Sequence, residues 1–256
     1  MFGATLALSA LVAFWFMVIL FVIALVRRNT GAADVGWGLA VFIAVLATYV
    51  WQMPGGLRAA LVLILVAVWG VRLTVHILMR NWGRGEDWRH ARARAAWGHW
   101  YPLRSFLQVF VLRSVLLVMV AAPALWVVTF GGPPLTWLDF FGLFVWLLGY
   151  CFESIADHQL VRFMKTPANH GRVLSTGLWH YSRHPNYFGE LLMWWGLWLV
   201  ALSVPGGWMT VIGPIVLTYW ILAWAVPLVE SKSLQNSEYR AYARRTDELL
   251  PGPPES

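Results

Sequence analysis

The chain is poor in charge and nearly without cysteine. Only 12% of its 256 residues are Asp, Glu, Lys or Arg, and Cys151 stands alone. A single cysteine excludes a disulfide framework and a cysteine-built zinc site. Acids are scarcer than bases, with 12 carboxylates against 19 lysines and arginines. No Gly-x-Gly-x-x-Gly follows a strand-like run and no Walker sequence is present, which excludes a soluble Rossmann or phosphate-loop module. A His-Glu-x-x-His pattern is also missing, so no bound metal is expected. The period-2 alternation of barrel strands is absent as well.

What remains is apolar: 59% of the residues are hydrophobic, and 18 are Trp. Apolar runs of about 18 residues or more recur, long enough to cross a bilayer as helices. Lipid admits only helices or closed barrels, because every backbone polar group must find a partner inside the protein. The expected fold is therefore all-α, a polytopic integral membrane protein with seven transmembrane helices. The runs place these at about residues 4–26, 36–51, 58–79, 106–130, 137–160, 188–204 and 208–229. Gly and Pro mark turns at 52–56, 131–134 and 205–207. The first run is too long for a signal peptide and lacks a basic start, so it reads as an uncleaved span. One domain over 1–256 is expected, with polar segments 80–105, 161–187 and 230–256 forming a cofactor site.

Seven spans put nearly every Lys and Arg on one side and only Arg58 on the other. That asymmetry sets the N-terminus outside and the C-terminus in the cytosol. The expected location is the bacterial inner membrane, with the site facing the cytosol. The net charge of +7 then reflects the positive-inside bias, and no nucleic-acid partner is expected.

The densest polar stretch is Gly177 to Glu190. Arg183, Asn186 and Tyr187 suit a phosphate, a carboxamide and an aromatic ring, or else pack a loop against headgroups. His180 and His184 are four apart, but Pro185 disfavours helix at His184. They read as loop histidines or as donors to an anionic cofactor. The basic stretch from Arg80 and Asn81 to Arg89 is either a linker on anionic lipid or a loop that folds over a nucleotide. Arg72, His76 and Arg80 share one helical face, as do Glu153 and Asp157, which could pair with Arg72 or Arg162. Asp34 precedes the second span as a helix cap or as an acid.

These residues together resemble a known family. The motifs are Asp34-x-x-Trp37-Gly38, Glu86-Asp87-Trp-Arg89, Ala156-Asp-His-Gln-Leu160, Gly177-Leu-Trp with Ser182-Arg-His-Pro-Asn-Tyr-Phe-Gly-Glu190, and Glu238-Tyr-x-x-Tyr242. They resemble the bacterial family with a steroid 5α-reductase-like domain, over about Asp34 to Pro251. The 182–190 motif belongs to a wider superfamily that also holds sterol reductases and isoprenylcysteine carboxyl methyltransferases. The resemblance implies a membrane enzyme that binds NADPH from the cytosol and reduces the 4,5 double bond of a 3-oxo-4-ene steroid. It implies that Asp34 matches the Glu that holds the 3-keto oxygen; the partner Tyr has no match, and Trp69 falls near its place. It also implies cofactor contacts at Asp157, Lys165, Arg172, Asn186 and Glu190. Arg80, Asn81, Tyr181, Arg183, His184 and Tyr187 complete the expected NADPH group.

The chemistry is coherent by itself. An enone accepts hydride when its carbonyl is polarised, and a desolvated carboxylic acid is a strong donor where charge develops. Asp34 is the candidate acid, and the apolar substrate, a steroid or related enone, enters from the bilayer. Two alternatives remain: S-adenosylmethionine-dependent methyl transfer to a lipid-like thiol, and non-catalytic sterol or lipid binding.

Overall fold

The computed structural model describes residues 1–82, 85–132 and 134–254, the side chain of Arg89 apart. Arg84 of the expected basic loop lies outside the described residues. Among those residues every regular element is helical. Among the described residues five helices are long and apolar enough to cross a membrane: Phe2–Arg27, Leu57–Asn81, His90–Val120, Trp137–Lys165 and Gly207–Ser233. The other two expected spans are shorter. Trp37–Gln52 has 16 residues and Pro185–Leu202 has 18. At 1.5 Å per residue they are about 24 and 27 Å long, under a hydrocarbon core of about 30 Å.

Helix ends follow local chemistry. Phe2–Arg27 stops where Arg28 turns left-handed, with φ of 50°. Trp37–Gln52 stops the same way at Met53, φ 43°. The expected loop over 80–105 is largely helical instead. A helix runs over Trp88–Trp97, and after one tight turn the chain coils again from Tyr101. Its Ala and Arg content explains this, since both are strong helix formers. The expected 106–130 span is interrupted at Ala121, just before Pro123, whose missing N–H breaks the ladder.

The chain divides into two compact units, Met1–Thr136 with Ala201–Gly213, and Trp137–Val200 with Pro214–Ser256. In the first unit, hydroxyls pair between helices. Ser9 bonds Thr48 at 2.9 Å, Thr5 bonds Thr129 at 3.1 Å, and Gln52 donates to Thr5 at 2.9 Å. Arg58 is buried, and its guanidinium donates to the carbonyls of Gly132 and Pro134. Gly38 and Gly70 let two helices touch backbone to backbone, because a Cβ on Gly38 would lie 2.6 Å from the Gly70 carbonyl oxygen.

In the second unit the same device occurs twice along Trp137–Lys165 and Pro185–Leu202. A Cβ on Gly142 would meet the Gly196 oxygen at 2.7 Å, and one on Gly149 would meet the Gly189 oxygen at 2.5 Å. Small residues of this kind allow close helix packing where lipid offers no hydrophobic drive.

Candidate functional site

Each unit carries a buried polar cluster. In the first unit, Asp34 lies within the one-turn helix Ala32–Val35, and Gly36 takes the cap position of the next helix. Its side chain is directed elsewhere. Arg113 Nη2 stands 2.6 Å from Asp34 Oδ1, and His90 Nε2 stands 3.7 Å from Oδ2. Asp34 thus accepts from a cation here, whereas the donor role expected of it requires a proton. Neither partner belongs to the expected site. Arg113 carried a signal, because a lone arginine in an apolar run calls for an acid.

Beside it, Glu86 is gripped by Arg94 through two hydrogen bonds of 2.8 and 3.0 Å, and by the Thr30 amide at 3.1 Å. Arg94 also lies over the Tyr101 ring, 4.1 Å from its centroid. Burial pushes the Glu86 carboxyl up, but hydrogen bonds from Arg94 and Thr30 and the Arg94 charge outweigh it and hold the group below its ordinary range. Trp69 is buried, at 1% exposure. Arg80 and Asn81 end their helix, with Arg80 Nε 3.4 Å from Asn81 Oδ1.

The second unit holds the other expected residues. Asn186, in the first turn of Pro185–Leu202, donates to Asp157 Oδ1 at 3.4 Å. The His184 and Tyr187 rings stack with centroids 5.5 Å apart. Lys165, Arg172 and Tyr181 are exposed, and Glu190 is half-buried. Arg183 and His184 face inward to Glu230. Arg183 Nη1 donates to Glu230 Oε2 at 3.1 Å, while His184 Nε2 and the Tyr239 hydroxyl meet Oε1, each at 3.0 Å.

The tail fastens the same turn. The Arg183 amide donates to the Asp247 carbonyl at 2.8 Å, and Ser182 Oγ to the Leu249 carbonyl at 2.8 Å. The Tyr242 hydroxyl donates to the carbonyls of Trp179 and Ser182. Burial and the Glu230 charge push the phenols of Tyr239 and Tyr242 well above their ordinary value, so both remain donors. The chemistry of this donor set suits a nicotinamide: Asn186 offers an acceptor and a donor to a carboxamide, and Asp157 orients it.

Residues 20–246 match the family described as Protein of unknown function (DUF1295). A curated relative is "Uncharacterized protein C594.04c" of Schizosaccharomyces pombe (strain 972 / ATCC 24843). It is 27% identical over 165 residues, which are 56% of this chain and 48% of the relative. The chain thus spans about half the length of that relative. No solved structure matches the chain. The family match takes in Asp34, Asn186 and Glu230 alike, and the chain belongs to the DUF1295 family, which is related to steroid 5α-reductase-like membrane proteins.

Proposed function

We propose that the chain is a seven-crossing membrane reductase of the bacterial inner membrane. It takes NADPH from the cytosolic side and reduces the 4,5 double bond of a 3-oxo-4-ene steroid or a related apolar enone. The observation that carries this reading is the Asn186–Asp157 pair, at 3.4 Å. It stands at the border of a basic segment, for the chain has no Asp or Glu between His158 and Gly189. Lys165 and Arg172, both exposed in that segment, suit phosphates. When bound, NADPH supplies the hydride; Asn186, Asp157 and Tyr187 bind and orient its ring end. Asp34 is assigned to the substrate carbonyl, a role that requires it protonated and released from Arg113, and Trp69 is assigned near the place that the resemblance gives the partner Tyr. The basic side chains set the N-terminus outside and the C-terminus in the cytosol. Bilayer thinning accommodates the two shorter helices.

One observation favours a second reading. Arg183 is taken by Glu230, which removes a cation from the phosphate-binding set. A cofactor without phosphates, S-adenosylmethionine, needs fewer cations, so methyl transfer to a lipid-like thiol is the alternative.

Titration of the purified protein with NADPH and with S-adenosylmethionine separates the two. NADPH is expected to bind, Asn186→Ala to weaken it by about 0.5–1.5 kcal/mol, the value of a neutral hydrogen bond, and Arg172→Ala by about 1.5–3 kcal/mol, the value of a charge-assisted one. Folded Asn186→Ala and Arg172→Ala variants with parental NADPH affinity would refute the assignment. Binding of S-adenosylmethionine alone would move the chain to the second reading.

A further inference from the structure

The Trp137–Lys165 helix has 29 residues, about 43 Å at 1.5 Å per residue. A bilayer is about 30 Å thick in its hydrocarbon core and about 40–45 Å with its headgroup layers. A helix of this length that begins in one headgroup layer therefore carries its last turns in the other. Gln159, Arg162 and Phe163 fall there at i, i+3 and i+4, on one face, and Thr166 follows the last helical residue. Together with Asn169 and Thr176 they line an open cleft of about 280 Å³. None of the residues assigned to the nucleotide lines it, and Asp157 turns to Asn186 instead.

The lining has a definite chemistry. Arg162 is an exposed cation and, among the described residues, no Asp or Glu lines the cleft, while Glu238 Oε1 accepts from the Val173 amide beside it at 3.3 Å. Helix-end carbonyls, which would repel an anion, are partly occupied. Thr166 Oγ1 donates to the Arg162 carbonyl at 3.3 Å, and Asn169 Nδ2 donates to the Phe163 carbonyl at 3.0 Å. With its hydrogen engaged, Thr166 offers oxygen lone pairs, and Asn169 keeps its amide oxygen and one further N–H. A cation beside acceptors suits a phosphate that carries hydroxyl donors. Sites that enclose a whole small ligand run about 300–1,000 Å³. An open cleft just below that range holds a headgroup whose remainder lies elsewhere, not a dinucleotide.

We propose that this cleft binds the headgroup of a hydroxyl-bearing anionic phospholipid such as phosphatidylglycerol. Arg162 takes the phosphate, Thr166 and Asn169 accept from the headgroup hydroxyls, and the acyl chains stay in the bilayer. The site is separate from the proposed NADPH group and does not depend on the reductase reading.

The test is native mass spectrometry of the full-length protein in detergent, titrated with phosphatidylglycerol, with phosphatidylcholine, and with inorganic phosphate as competitor. Phosphatidylglycerol is expected to bind more tightly than phosphatidylcholine. Arg162→Gln should weaken it about tenfold or more, the loss of one charge-assisted contact. Arg245→Gln, the same charge change outside the cleft, should leave it unchanged. Thr166→Val gives a second, milder reading of the same contact and keeps the test open if Arg162→Gln does not fold. Equal loss in Arg162→Gln and Arg245→Gln would overturn the site. So would equal binding of the two lipids. Displacement of phosphatidylglycerol by millimolar inorganic phosphate would make it a soluble-anion site and overturn the lipid assignment.

Discussion

Removing the carboxylate of Glu230 should unfasten the second unit. Glu230 is 8% exposed, and its two oxygens meet Arg183, His184 and Tyr239 at 3.0–3.1 Å. The Arg183 and His184 side chains are themselves only 12% and 6% exposed. Glu248 is a poor substitute for the guanidinium, at 3.7 Å and with its side chain 45% exposed. Breaking a buried pair by removing one partner costs about 3–5 kcal/mol, because the other charge stays behind. Glu230→Ala should therefore lower the thermal midpoint by about 6–20 °C, at about 2–4 °C per kcal/mol for chains of 150–250 residues. Glu230→Gln keeps one oxygen as acceptor for Tyr239 but loses the charge and sets an amide N–H against Arg183, at a cost of about 1.5–3 kcal/mol or more. Tryptophan fluorescence during heating in detergent measures both. A double-mutant cycle with Arg183→Met isolates the pair, since Glu230→Gln should cost much less once the cation is gone. A drop under about 2 °C for Glu230→Ala, or strict additivity in the cycle, would refute the reasoning.

Two other predictions concern the first unit. Asp34→Asn should fold and bind NADPH as the parent does, yet turn over progesterone about a hundredfold to a thousandfold more slowly if Asp34 acts on the carbonyl; turnover within about threefold would leave Asp34 as the structural partner of Arg113. Glu86 is held below its ordinary range, so it adds stability above the unfolded-state value and gives it up as pH falls through the folded one. On acidification through and below the ordinary carboxylate range, the parent midpoint should fall more steeply than that of Glu86→Gln, and parallel curves would show that the Arg94 grip contributes nothing.

Local features were readable in the sequence and distant partners were not. The helices Phe2–Arg27 and Leu57–Asn81 begin and end within a few residues of the expected spans. Apolar runs bounded by Arg, Gly and Pro leave little freedom there. Trp137–Lys165 begins where expected and runs five residues past the expected end at Leu160, because Arg162 and Lys165 extend a helix as readily as they end a span. The same propensity turned much of 80–105 helical. Asp34 and Arg113 lie 79 positions apart, and no periodicity links them. Arg183 stood out in the densest polar stretch, whereas Glu230 was only the first residue of the polar tail. Their pairing depends on how the tail returns, which composition does not encode. Tyr239 and Tyr242 were visible only as motif letters, and their role as donors emerged with the hydrogen bonds.

The two glycine contacts between Trp137–Lys165 and Pro185–Leu202 act as a ruler. Gly142 meets Gly196 and Gly149 meets Gly189, seven residues apart on each helix. Two antiparallel rods notched at matching intervals can seat in one position only. A slip of one helical turn, about 5.4 Å, would bring Gly149 against the Cβ and side chain of Met193 in place of Gly189, and backbones in contact have no room for them. Asn186 lies one turn before a notch and Asp157 two turns past its counterpart. Their alignment is therefore set by the main chain, and a substitution at Gly189 would misplace the Asn186 amide while altering no atom of it.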